Sequence, residues 1–166
     1  MKCVSTVRYQ VKVNGDLSEH FVPQRGLRQG DPLSPYLFLL CAEAFSALLK
    51  KGERVGLLVG VKICSGAPSI SHLLFAADSL ILIQATEGDC GHLQTILQLY
   101  EDCSGQMINK AKSAILFSWN TKANQKKTVC DLLQVTKETM SERYLGLPVH
   151  VGQSKTGTFA YLKDRI

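Results

Sequence analysis

Between Val7 and Val13 apolar and polar residues alternate strictly, with Val7, Tyr9, Val11 and Val13 on one face and Arg8, Gln10 and Lys12 on the other. That is the period of a strand with one buried face. Asn14 and Gly15 follow at a tight-turn position and Leu17 and Phe21 return on the same side, so residues 7–22 are predicted as a β-hairpin. The period then becomes helical. Ser34 and Pro35 offer an N-cap and a first helical residue to "YLFLLCAEAFSALLKK", a run apolar nearly all round except at Glu43 and Ser46. Such a helix is expected in the core, with Gly52 as its stop.

"VGLLVGVKIC" reads as a strand, and a second hairpin follows Pro68, with strands at about residues 70–76 and 79–84. Its flanks are Leu, Phe and Ile, which suit strands buried on both faces. A single acid, Asp78, stands at its tip beside Ala77. Thr86 can cap a helix in which Leu93, Ile96, Leu97 and Tyr100 recur at three- and four-residue spacing, with Gly105 as its stop. "SAILF" predicts a strand, "QKKTVCDLLQV" a short helix with Val129, Leu132 and Leu133 inward, "RYLGLPVHV" a strand, and residues 154–166 the start of a helix. With no internal repeat, low-complexity run or linker, the order implies one α+β domain in which helices pack on an antiparallel sheet.

Composition narrows this reading. The 166 residues, 45% hydrophobic and 20% charged, supply one ordinary core and not two. Six cysteines, at 3, 41, 64, 90, 103 and 130, are scattered, several inside apolar runs, as free thiols of a reducing compartment would be. The closest metal-like spacing, Cys90 with His92, lacks the remainder of a zinc ligand set. The N-terminus has no signal-peptide core, and "YLFLLCA" is too short to cross a bilayer. The expectation is a soluble intracellular protein, cytoplasmic or nuclear, with no membrane partner. A net charge of +5 favours an anionic partner such as nucleic acid, although such a surplus is also common on proteins that bind none.

Four stretches in order carry a resemblance. "RGLRQGDPLSPYLF" at residues 25–38, "ISHLLFAADSLIL" at 70–82, "SGQMINKAKS" at 104–113 and "YLGLPV" at 144–149 resemble successive motifs of the reverse transcriptase palm, of the type encoded by plant LINE-like (non-LTR) retrotransposons. The resemblance runs over essentially the whole chain and implies a partial reverse transcriptase domain at residues 1–166, palm-like, lacking the fingers, the first catalytic strand and most of the thumb. It implies an RNA template and a DNA primer as partners and Mg²⁺ as cofactor. By the same resemblance Arg25, Arg28, Gln29 and Gly30 contact the template and nascent base pair, Lys112 helps protonate the departing pyrophosphate, and Tyr144, Leu145 and Gly146 support the primer end.

The chemistry behind these motifs is general. Two-metal nucleotidyl transfer needs several carboxylates converging on hard cations. In the family the hairpin tip presents two adjacent aspartates, and a third comes from an earlier strand. The first tip position is Ala77 in this chain, leaving Asp78 as the remaining catalytic and metal-ligating residue of the pair. Asp16 belongs to a hairpin turn and Asp31 to the template motif, and the strand with the third aspartate is expected to precede Met1. The reading is therefore a degenerate site in a catalytically inactive chain. The alternatives are a non-catalytic RNA/DNA-binding module and a pseudogene product without function. An unpaired sheet edge beside the second hairpin would favour self-association.

Overall fold

The computed structural model describes residues 6–24 and 26–138, together with the backbone of residues 143–144 and 147–148. The expected helix at residues 154–166 lies outside the described residues.

The first hairpin forms where the alternation predicts it. Strands β1 (Lys12–Val13) and β2 (Asp16–Leu17) pair antiparallel, with Lys12 opposite Leu17. Asn14 and Gly15 between them both have positive φ, +53° and +102°, the signature of a type I′ turn. Farther out Tyr9 pairs with Phe21 through two 2.9 Å hydrogen bonds, one residue out of step with the turn register. The return strand therefore carries one extra residue, a β-bulge, and the Ser18 hydroxyl accepts from Val11 N beside it. The apolar face of the hairpin is exposed, contrary to the half-buried expectation: Val11, Val13, Leu17 and Phe21 all reach solvent.

Helix α1 spans Ser34–Arg54. Its N-cap is Leu33; Ser34 instead donates its hydroxyl to Arg28 O. Gly52 does not end it either. Gly52 lies buried inside the last turns, where a Cβ would come 3.1 Å from Ile96 Cδ1 and 3.2 Å from Leu58 Cδ1, so it serves close packing, and Gly56 at φ +76° follows the helix end. Only the C-terminal half of α1 is in the core. Phe45, Ser46, Leu49 and Gly52 are buried, whereas Tyr36, Leu39 and Leu40 are exposed. An all-round apolar helix needs cover on every side, and among the described residues α2 (Glu87–Ser104) and β3 (His72–Phe75) cover only one end.

Helix α2 begins and ends as predicted. Thr86 Oγ1 accepts from Asp89 N, and Gly105 closes the helix in the left-handed conformation. It is the central element. Leu93 joins Phe45, Leu49 and Leu58 in one core cluster, with the Tyr100 ring stacked 4.6 Å from Phe45, while Cys90 joins Phe117 and Val129 of the α3 side in a second. Helix α3 spans Ala123–Leu133.

Strands are shorter than predicted. β3 pairs antiparallel with β4 (Asp78–Ile81), "VGLLVGVKIC" contributes only a bridge between Val61 and Ile70, and "SAILF" only a parallel bridge between Ile115 and Glu138. "RYLGLPVHV" contains two short strands instead of one: β5 (Arg143–Tyr144) pairs with β6 (Leu147–Pro148). The class is α+β, yet the described strands form three separate two-stranded pairs instead of one sheet. No described helix is long and apolar enough to cross a membrane.

Candidate functional site

Asp78 is carried by a two-residue turn. Phe75 pairs with Asp78 across Ala76 and Ala77, so Asp78 is the first residue of β4 and the tip itself is the Ala pair. Ala76 has φ +47° and Ala77 does not, the φ pattern of a type II′ turn, which favours glycine at its first position. Holding an alanine there costs of order 1–2 kcal/mol. Asp78 is exposed, and Leu73 and Phe75 on the same hairpin are exposed on one face, so the strands are not buried on both sides as expected. His72 and Leu74 point inward.

The predicted template loop is tied to itself and to α1. Arg28 O accepts from Asp31 N and from the Ser34 hydroxyl, and the Asp31 carboxylate accepts from Leu33 N at 2.8 Å. Gly26 and Gly30 both sit at φ +83°, a conformation that strains any L side chain, with open space where a Cβ would be. Arg28, Gln29 and Gly30 are exposed, and the loop lines a cleft with Val7 and Tyr9 of the first hairpin. Arg25 lies outside the described residues.

Lys112 projects from a turn organised by Asn109, whose carbonyl accepts from Lys112 N and Ser113 N and whose side chain also accepts from Lys112 N. The sequence alone did not single out Asn109, although an Asx turn is a known use of that residue. Tyr144 is in β5, while Leu145 and Gly146 fall outside the described residues. Among the described residues no hydrogen bond or ion pair joins Asp78 to Gln29 or Lys112. No group of three or more His, Cys, Asp and Glu side chains is arranged there to hold a metal ion. A lone exposed carboxylate beside a methyl side chain does not fit the ligand demand of Mg²⁺.

A polar tie that the sequence did not reveal holds the base of this hairpin. Ser46 Oγ lies 2.8 Å from His72 Nε2, His72 Nδ1 lies 3.0 Å from Ser71 Oγ, and Ser71 donates to Glu53 Oε2 at 3.0 Å. A carboxylate only accepts, so one consistent arrangement has Ser46 donating to Nε2 and His72 donating from Nδ1 to Ser71. Burial pushes the His72 pKa down, Lys50 pushes it the same way, and Glu53 opposes both. These groups line an open groove of about 480 Å³ between α1 and β3. Ser46 had stood out only as a polar break in an apolar helix; its partner is 26 residues away.

Comparison with known proteins adds an independent finding. A family profile described as reverse transcriptase (RNA-dependent DNA polymerase) matches residues 1–149. The chain is 49% identical over 67 residues to an uncharacterized mitochondrial protein of Arabidopsis thaliana, a match covering 40% of the chain and 55% of that protein. It is 39% identical over 74 residues to the Pol polyprotein of a type-2 retrotransposable element of Drosophila melanogaster, covering 43% of the chain and 7% of the polyprotein. To a 149 kDa transposon TX1 protein of Xenopus laevis it is 33% identical over 115 residues, or 69% of the chain and 8% of that protein. The matched region thus spans about half of the plant relative and under a tenth of the two transposon proteins.

Proposed function

The chain belongs to the reverse transcriptase (RNA-dependent DNA polymerase) family, and from that premise we propose that residues 1–166 are a palm-like part of such a domain that holds nucleic acid without catalysing nucleotidyl transfer. Ala77 carries this reading. At the turn where the family places paired aspartates, Asp78 supplies the only carboxylate, and the second position offers a methyl group. Losing a metal ligand removes transition-state charge stabilisation of several kcal/mol as an order of magnitude, and each 1.4 kcal/mol is about tenfold in rate.

The remaining residues keep binding roles. Arg25 and Arg28 bring positive charge to the template, Gln29 and Gly30 border the nascent base pair, and Tyr144, Leu145 and Gly146 support the primer. The open space beside Gly30 leaves room for a sugar or phosphate to approach the main chain. Lys112 retains its place while its proton has no reaction to serve. The outer edge of β4, paired on one side only, and the exposed Tyr36, Leu39 and Leu40 support self-association, which sedimentation velocity across a concentration series reads directly.

The test is a labelled RNA/DNA primer–template titrated with the chain at two salt concentrations, followed by extension with Mg²⁺ and deoxynucleotides. Binding that weakens steeply with salt and no extension are expected. Extension by the natural chain would overturn catalytic silence, and no binding at low salt would overturn the holding role.

A further inference from the structure

Six lysines, at positions 110, 112, 122, 126, 127 and 137, lie within residues 107–138 against two acids, Asp131 and Glu138, so this segment carries +4 of the chain's formal +5. Five of the six are exposed; Lys126 is half-buried over the Phe117 ring and pairs with Glu138. The fold gathers them. Ile115 N donates to Lys137 O, Lys110 Nζ donates to Gln134 Oε1, and helix α3, roughly 16 Å long at its eleven residues, runs between these two ties. In the turn that enters α3 stands Trp119, the single tryptophan of the chain, 76% exposed. Thr121 N donates to Ser118 O, and the two hydroxyls of Ser118 and Thr121 lie 3.1 Å apart, so the turn under the indole is closed by its own hydrogen bonds.

A large indole normally finds burial. The cores of protein interfaces are depleted in lysine, which argues against a protein as its cover. An aromatic face flanked by lysines is instead the arrangement that binds unpaired nucleotides, the base stacking on the ring and the phosphates meeting the cations. A duplex offers no free base face, which selects single strands. We propose that Trp119, with Lys122 and Lys127, forms a platform for single-stranded nucleic acid on the α3 side of the molecule. The inference rests on the reading that this chain holds nucleic acid, and it assigns a place and a strand state that the palm motifs do not.

The single tryptophan supplies its own probe. The full chain is titrated with a fluorescein-labelled twelve-nucleotide oligoadenylate RNA, reading anisotropy and indole emission together. Quenching of the emission that saturates with the same dissociation constant as the anisotropy is expected, with an unlabelled oligonucleotide as control for energy transfer. Trp119→Ala should lose roughly 5- to 150-fold in affinity, the span of one base stacked on one ring, while Trp119→Phe loses less. Lys122→Ala with Lys127→Ala should flatten the salt dependence. Binding with unchanged emission and a neutral Trp119→Ala would overturn the platform while leaving the primer–template reading intact. No binding of either the oligonucleotide or the primer–template would overturn both.

Discussion

Replacing Gly60 by alanine should loosen the base of the hairpin that carries Asp78. A Cβ at this position would come 2.6 Å from Ser69 Oγ, 2.8 Å from Ile70 O and 2.9 Å from Ile70 C, and two of those three atoms are backbone that cannot rotate away. The same stretch makes the Val61–Ile70 bridge, two hydrogen bonds of 2.9 Å. Overpacking of this kind costs typically 1–3 kcal/mol, and disturbing the two bonds adds about 1 kcal/mol each. The restricted unfolded chain returns about 0.4–1 kcal/mol. The net expectation is a loss of about 2–4 kcal/mol, a large part of the usual 5–15 kcal/mol of a domain. Urea unfolding followed by far-UV circular dichroism measures it. Gly91→Ala is the matched control: Gly91 lies in α2, nothing approaches its Cβ position within 4 Å, and helix propensity alone should add about 1 kcal/mol. A Gly60→Ala midpoint at or above that of the natural chain, or two variants moving in the same direction, would refute the steric reasoning.

Three further outcomes follow from the geometry. Ala76→Gly should raise stability by about 1 kcal/mol with an unchanged urea slope, because it relieves a positive φ at the first turn position; no gain would mean the turn is unstrained. His72 has a folded pKa below the ordinary 6.5, so the unfolded chain binds its proton first. Its contribution is complete above pH 6.5 and is lost as the pH falls through the folded value, a slope that Tm against pH should show in the natural chain and show reduced in His72→Gln. Burial, with the Asp89 charge beside it, pushes the Cys90 thiol up, whereas Cys64 and Cys103 are exposed. Maleimide should therefore label Cys64 and Cys103 in the native protein and reach Cys90 only after denaturant, as peptide mass mapping would record.

Local chemistry was legible in the chain because it is decided by neighbours. The Asn14–Gly15 turn, the Thr86 cap, the Gly105 stop and the inward Val129 all follow from backbone preferences and side chains within a few residues. The family was legible for a related reason: motifs such as "RQGDPLSP" and "FAADSL" keep their order and spacing along the chain, and the family match over residues 1–149 agrees with them. Ala77 at the turn is likewise a matter of sequence alone.

Contacts between distant segments decided the rest. Apolar periodicity marks α1 as a helix that wants cover, but which half receives it depends on where α2 and β3 arrive, so Leu49 is sealed while Leu40 is not. Gly52 reads as a helix stop in one dimension and is a packing contact in three, because Ile96 and Leu58 occupy the space its side chain would take. The Ser46–His72–Ser71–Glu53 tie and the gathering of lysines around α3 have the same origin. Hydrogen-bond partners tens of residues apart leave no periodic trace in the sequence, since what selects them is the distance between atoms after folding.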